Sequence, residues 1–380
     1  MKEDKKKVYL RSFGCQMNLR DSEVVAGLLK DSGFQLAGVP EKADILIFNT
    51  CAVRQHAEDK VWSEIGRFKK QGIPVIGLIG CMAQNYQDRV FERCPAVDFV
   101  VGPSDIHKIP GIIKKVSGDR CQATGKSLYE VKIWETEGGN RPEEIYHTGF
   151  YEDKEHSFVV ISEGCSNFCS YCVVPYTRGR LRHRKHADIL DEIKLALDKG
   201  IVKVTLLGQN VNAYQDGNID FIKLLERVNS IAGLKEFSFI TSHPKDADVE
   251  LFKAMAACDK LKKYLHLPAQ SGSDKILKLM NRGYTAKFYL ALADNYRKIV
   301  DSPKLTTDII VGFPTETEAD FKHTYNLVKG VGFDTAYIFK YSPRPNTASL
   351  KLGDDVPKQE KERRHALILE LQKKISRGKK

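Results

Sequence analysis

Cys165-Ser166-Asn167-Phe168-Cys169-Ser170-Tyr171-Cys172, a CxxxCxxC run, stands directly after the strand-like stretch Phe158–Ser162. Downstream of it the strand pattern returns at Lys203–Leu207, Glu236–Ile240, Tyr264–Leu267, Thr306–Val311 and Thr335–Lys340, with helical stretches between. That alternation suits a partial barrel of about six β/α units, with the cysteine run in the turn that leaves its first strand. Upstream, Val8-Tyr9-Leu10, Asp44–Phe48, Pro74–Ile79 and Val97–Val101 read as strands, the middle ones being short apolar runs typical of buried parallel strands. Helical patterns separate them, one running from Asp21 to Lys30 and closing at Gly33. The fold class is therefore α/β: a doubly wound parallel-sheet domain over residues 1–125, a linker over 126–150 marked by Glu137-Gly138-Gly139-Asn140-Arg141-Pro142, and a (β/α)6 barrel over 151–355. A basic helical tail follows at 356–380.

The chain has 380 residues, 42% hydrophobic and 29% charged, which describes an ordinary globular protein of two or three domains. No apolar stretch approaches the roughly 20 residues that span a bilayer, and the charged start Met1–Lys7 has no signal-peptide core, so a cytoplasmic address is expected. The net charge of +11 favours a polyanionic partner. Nine cysteines in a cytoplasmic chain point to metal ligation or catalysis before disulfides.

Three clustered thiolates on a four-iron cluster leave one iron open to bind and reduce a small molecule. Zinc is the alternative, but structural zinc closes its site with four ligands. Here no fourth Cys or His follows at zinc-like spacing; His183 and His186 lie within an arginine-rich stretch. A second set, Cys15, Cys51 and Cys81, is spread along the chain, each just past a predicted strand in Gly14-Cys15, Thr50-Cys51 and Gly80-Cys81. Loops beyond the carboxyl ends of neighbouring parallel strands converge on one crevice, so these three can become ligands of one site. The competing reading makes them buried packing residues. Cys94, Cys121 and Cys258 share neither context and read as structural.

The CxxxCxxC run, with Tyr171 before its last cysteine, resembles the radical S-adenosylmethionine (SAM) signature. The resemblance implies a [4Fe-4S] cluster on Cys165, Cys169 and Cys172, whose open iron chelates SAM so that one electron releases a 5′-deoxyadenosyl radical. It also implies SAM contacts at Tyr171, at Gly208, Gln209 and Asn210 after the second barrel strand, and at Ser271 and Ser273 in Gln270-Ser271-Gly272-Ser273-Asp274. Asp308 and Gly312 in Asp308-Ile309-Ile310-Val311-Gly312-Phe313-Pro314 complete that set. Ser12-Phe13-Gly14-Cys15-Gln16-Met17-Asn18, Asn49-Thr50-Cys51, Gly80-Cys81 and Tyr341-Ser342-Pro343-Arg344-Pro345 extend the likeness over nearly the whole chain. Together they resemble the methylthiotransferases, and the GCQMN form with Val173–Arg180 looks most like the MiaB-type tRNA enzymes. That implies methylthiolation at C2 of N6-isopentenyladenosine beside the anticodon, with two SAM molecules. Sulfur would come from a second [4Fe-4S] cluster on Cys15, Cys51 and Cys81. It further implies an electron donor such as flavodoxin or ferredoxin, and a monomer. Relatives acting on threonylcarbamoyl-adenosine in tRNA or on a ribosomal protein are the alternatives within the family, and a zinc-containing RNA-binding protein the one outside it.

Arg178, Arg180, Arg182, Arg184 and Lys185 form an alternating basic stretch beside the cysteine run. Alone it reads as a solvated edge; beside a site that receives a tRNA anticodon stem-loop, phosphate contact is expected. Such enzymes usually continue into a small TRAM β-barrel, which is expected to be absent here because the chain stops within Ala366–Lys374 and a few basic residues.

Overall fold

A computed structural model describes residues 5–52, 55–70, 75–121, 132–138 and 141–378. The chain divides into two compact units. The first runs to Lys154 and includes Tyr176–Gly179; the second holds Glu155–Pro175 and everything from Arg180.

In the first unit the strands are β1 (Lys7–Phe13), β2 (Gln35–Leu36), β3 (Ile45–Thr50), β4 (Val75–Ile79), β5 (Phe99–Val101) and β6 (Ile133–Glu135). They form one parallel sheet in the order β2-β1-β3-β4-β5-β6. The reversal of strand order beside β1 makes the sheet doubly wound, as expected. Strands β3 and β4 are buried along their whole length, which is why they read as unbroken apolar runs. Phe48, Phe68, Ile65, Leu78 and Val100 pack on one face of the sheet, and Phe48 meets Phe68 at 6.1 Å between ring centres. The first helix spans Gln16–Asp31, starting five residues before the apolar periodicity declares itself, because its first turn mixes buried Met17 with buried polar Asn18 and exposed Leu19.

The segment 126–150 departs from the expected linker. Among its described residues, Ile133–Glu135 adds the sixth strand, and Arg141 and Tyr146 are buried in the unit. A three-residue strand with an exposed central Trp134 carries too little periodicity to be seen in sequence.

The second unit holds β7 (His156–Val160), a short antiparallel pair β8 (Ser162–Glu163) and β9 (Arg182–His183), then β10 (Lys203–Leu207). A small hairpin, β11 (Gln215–Asp216) with β12 (Ile219–Asp220), precedes β13 (Glu236–Ile240), β14 (Tyr264–His266), β15 (Lys304–Val311) and β16 (Thr335–Lys340). Parallel pairing gives β7-β10-β13 and β14-β15-β16. The bridge Phe237↔Leu261 carries the first triplet into the second, completing the six-unit partial barrel. Alternation sorts the faces. Val159, Leu206, Phe239, Leu265 and Ile309 point outward into the helical shell. On the inner face His156 bonds Thr205 (2.9 Å), Thr205 bonds Ser238 (2.8 Å), and His266 bonds Thr306 (3.0 Å). The basic tail is the helix Lys358–Gly378, and it belongs to this shell: Ile368 and Leu371 are buried in the barrel's core, and Arg364 pairs with Glu316 at 2.7 Å. No helix among the described residues is long and apolar enough to cross a membrane.

Gly77 of β4 lies directly opposite Phe99 of β5, and a Cβ there would stand 2.1 Å from the ring. Gly77→Ala is expected to lower stability by about 1–3 kcal/mol through overpacking. Gly66→Ala, on an open helix face with nothing within 4 Å, is expected to leave stability level or raise it by up to ~1 kcal/mol. Urea unfolding of the two variants should show these opposite signs.

Candidate functional site

The first constellation follows from sheet order. β1, β3 and β4 are neighbours, and register pairs Phe13 with Thr50 and Asn49 with Ile79. Cys51 follows its strand directly, and Cys15 and Cys81 stand two residues past theirs, after Gly14 and Gly80, so a parallel sheet sets all three on one edge. Cys15 caps the helix Gln16–Asp31 and Cys81 opens the helix Cys81–Tyr86. Both turns need glycine. Gly80 has φ +90°, and a Cβ on it would meet Asn49 Oδ1 at 2.3 Å; one on Gly14 would meet Cys51 Cβ at 2.9 Å. Polar side chains brace the edge. Asn18 Nδ2 donates to Asn49 Oδ1 (2.9 Å), while Asn49 Nδ2 donates to the Asn18 carbonyl (2.8 Å) and to Ser22 Oγ (3.0 Å).

Cys51 and Cys81 are buried, and Cys15 is half-buried. The Cys15 thiol is pulled down to about 6, first by its hydrogen bond with Cys51, then by Arg178 and the backbone N–H groups of Asn18 and Met17, against burial. Burial pushes the Cys81 thiol up, opposed by Arg178. Arg178 Nε donates to Cys81 Sγ at 3.2 Å, and its other end meets Asp21 Oδ2 at 2.6 Å. Asp21 Oδ1 in turn accepts from Arg141 (2.8 Å), whose guanidinium also bonds Tyr146 OH (2.9 Å).

The second constellation sits in the loop after β8. Gly164, at φ +75°, turns the chain into it, and its N–H donates to Gln209 Oε1 at 2.6 Å. Cys165 and Cys169 are buried and Cys172 is half-buried, and the Cys172 N–H closes a turn on the Cys169 carbonyl (2.9 Å). Burial and the neighbouring Cys169 push the Cys172 thiol up to about 12. Arg282, almost wholly buried, donates to Cys169 Sγ (3.4 Å), to Tyr171 OH (3.4 Å) and to the Pro268 carbonyl (2.8 Å). Asn281 donates to the carbonyls of Asn167 and Phe168 at 3.1 Å each, pinning the loop. Among the described residues no three His, Cys, Asp or Glu side chains are grouped for a single metal ion; a four-iron cluster holds its thiolates farther apart than one ion does.

The remaining expected contacts are placed unevenly. Gly208 packs against Ser162, where a Cβ would stand 2.4 Å from Oγ. Asn210 Nδ2 donates to Asp246 (2.7 Å). Ser271 bonds Thr324 (3.1 Å), and Ser273 caps the helix Asp274–Leu279 while donating to Asp320 (2.6 Å). Those two hydroxyls are occupied within the fold. Asp308 faces His266 across β14 and β15 at 3.4 Å. Gly312 has φ +69° and donates its N–H to Glu316 (2.6 Å). Buried polar atoms without a hydrogen-bond partner among the described residues mark four successive strand ends: Ser162 Oγ, Asn210 Oδ1, His243 Nε2 and Gln270 Oε1. Other buried polar atoms of both units also lack a partner among the described residues; what sets these four apart is their place at one end of the barrel strands.

The basic stretch is not one exposed strip, and this corrects the sequence reading. Arg178 is buried on Asp21 and Cys81, and Arg184 is buried on Asp188, Glu192 and the Val160 carbonyl. Irregular backbone around β9 breaks the alternation that would have put them outside. Arg180 and Lys185 are exposed, Arg182 is partly exposed beside Glu163 (3.3 Å), and Arg180 lies over the Phe168 ring at 5.9 Å. Asp21, Arg141 and Arg282 were not singled out in the sequence; single charged residues far from any motif give no local signal. Cys258 is a core residue and Cys94 packs at the edge of the first unit's core, whereas the Cys121 side chain falls outside the described residues.

Residues 7–102 match the family described as Uncharacterized protein family UPF0004, and residues 159–328 match the Radical SAM superfamily. The chain is 40% identical over 98% of its length to a tRNA-2-methylthio-N(6)-dimethylallyladenosine synthase from Syntrophotalea carbinolica, covering 85% of that protein. A protein of the same description from Clostridium novyi is 43% identical over 96% of the chain and 80% of the relative. Among solved structures, the radical S-adenosylmethionine methyltransferase TsrM from Kitasatospora setae superposes with a TM-score of 0.61 at 14% identity, covering 91% of this chain and 77% of that one. That likeness is one of fold.

His243 offers a titration test of the second site. Its Nδ1 accepts from the Lys245 N–H (3.2 Å), which places the proton on buried Nε2. Burial, then Arg282 and Lys245, hold the imidazole down at about 2. The unfolded chain takes up that proton near the ordinary value of about 6.5 and the folded one does not, so stability is lost as pH falls below it. Urea midpoints of the metal-free protein should drop between pH 7.5 and 5.5, and His243→Gln should remove part of that drop.

Proposed function

The chain belongs to the radical SAM methylthiotransferase family, in the branch of the tRNA-2-methylthio-N(6)-dimethylallyladenosine synthases, and from that membership we propose how its residues divide the reaction. The enzyme is a tRNA methylthiotransferase that replaces the C2 hydrogen of N6-isopentenyladenosine beside the anticodon with a methylthio group. An aromatic C–H bond has no leaving group and no usable acidity, which puts the step beyond side-chain acid–base catalysis. Two bound [4Fe-4S] clusters and SAM supply, respectively, the electron and sulfur, and the radical and methyl chemistry.

The observation that carries the assignment is the edge formed by Cys15, Cys51 and Cys81 on three adjacent strands, together with the separate Cys165, Cys169 and Cys172 loop. The donor sets fit: each offers three thiols within electrostatic reach of one another and leaves room in the ligand count for a non-protein group. Cys165, Cys169 and Cys172 would hold the SAM-binding cluster, with Arg282 donating to Cys169. Ser162, Asn210, His243 and Gln270, whose buried polar atoms lack partners, would bind SAM. Gly208 and Gly312 would admit it, with Tyr171, Gln209 and Asp308 at the margins. Cys15, Cys51 and Cys81 would hold the sulfur-donating cluster. Exposed Arg180 and Lys185, with Arg182 beside them, would meet phosphates of the anticodon stem-loop, and Arg180 over Phe168 offers a cationic and aromatic surface for an unpaired base. The electron comes from a small reductase partner of the flavodoxin or ferredoxin class, in the cytoplasm, to a monomeric enzyme.

Iron and acid-labile sulfide after anaerobic reconstitution test this directly. About eight irons per chain are expected, falling to about four in Cys15→Ala/Cys51→Ala/Cys81→Ala, with loss of methylthiolation on an isopentenylated anticodon stem-loop. Equal iron in both proteins, or zinc without sulfide, would sink the two-cluster assignment. Turnover on a ribosomal protein alone would sink the substrate.

A further inference from the structure

Arg178 is the one residue of the basic stretch whose guanidinium points at a thiol. It lies in Tyr176–Gly179, the four residues that belong to the first unit although the chain on either side belongs to the second. It is 4% exposed, donates from Nε to Cys81 Sγ at 3.2 Å, and spends a second nitrogen on Asp21 at 2.6 Å. Asp21 is 1% exposed and is shared with Arg141, itself held by Tyr146 OH and the Pro103 carbonyl. The result is a buried Arg–Asp–Arg chain with one end aimed at sulfur.

Burying such a chain costs several kcal/mol per ion before its mutual attraction is counted, and an apolar residue of similar volume often does as well for stability. The geometry is specific instead. A charged N–H on a ligand sulfur draws negative charge toward itself, so it favours the reduced state of whatever that sulfur ligates. A carboxylate immediately behind the guanidinium opposes that pull. The two together set an intermediate value. In an enzyme with two clusters, the sulfur donor must not take the electron meant for the SAM site, and a tempered pull at Cys81 meets that need.

We infer that Arg178, with Asp21 behind it, is a positioning residue that sets the reduction potential of the cluster held by Cys15, Cys51 and Cys81. The inference rests on the cluster assignment made above. A plain structural pin would make Arg178 and Asp21 equivalent, since removing either breaks the same ion pair. Electrostatic tuning makes them opposite in sign.

The test uses the full chain carrying Cys165→Ala/Cys169→Ala/Cys172→Ala, so that one cluster is reconstituted, with iron content and a dithionite titration followed by electron paramagnetic resonance. One electron passes from dithionite to the cluster in each case. Arg178→Gln is expected to lower the midpoint by the equivalent of roughly a tenfold change in the reduced-to-oxidised ratio, about 59 mV for one electron. Asp21→Asn is expected to raise it by a similar amount, and Arg178→Lys to stay near the parent. Unshifted midpoints with full iron, or shifts of the same sign, overturn the inference, as does loss of iron from all three variants. If Arg178→Gln alone fails to hold iron, the Asp21→Asn shift decides: upward supports the inference, level or downward overturns it. A parent without iron removes the cluster assignment itself, and this inference with it.

Discussion

A parallel sheet delivers every strand-to-helix turn to one edge, and the chemistry of this protein depends on that constraint twice. In the first unit it turns three cysteines, each about thirty residues from the next, into neighbours past β1, β3 and β4. In the second it gathers a cysteine loop and four buried, unpartnered polar atoms at the ends of successive barrel strands. Antiparallel strands would have scattered the same residues over two edges. The apolar runs of β3 and β4 thus do more than fill a core: buried on both faces, they hold the register that puts Cys51 and Cys81 level with Cys15.

Burial then creates an electrostatic problem at each site, and the fold answers both with arginine. Thiols withdrawn from water resist ionisation, as the upward shifts of Cys81, Cys165 and Cys172 indicate. Arg178 donates to Cys81 and Arg282 to Cys169. The two settings differ. Arg178 has a carboxylate at its back, whereas the groups bonded to Arg282 are phenols, a carbonyl and the thiol.

What sequence reveals about such a site is whatever is local. The CxxxCxxC spacing is local, and so is each cysteine's place just after an apolar run; both were legible, as were the doubly wound sheet and the six barrel strands. The Asp21–Arg178 pair spans 157 residues, and nothing near either residue announces the other. Arg178 and Arg184 looked like phosphate contacts because alternation was read through a segment that is not regular strand. The helix at Gln16 begins before its apolar stripe is legible because buried Asn18 and exposed Leu19 interrupt the pattern, and the polarity of Asn18, Asp21 and Ser22 belongs to the site, not to solvent.

The same reasoning explains why the arginines were hardest to see. A motif records residues that act on a ligand directly, and these are held at close spacing by the ligand's own size. Residues that set the charge around a ligand act through space and can be supplied from any element that passes within hydrogen-bond reach. In this protein one comes from the segment that follows the CxxxCxxC loop and the other from the turn after Asp274–Leu279. Electrostatic tuning therefore leaves its record in burial and partner geometry, and an almost wholly buried guanidinium bonded to sulfur is the form that record takes here.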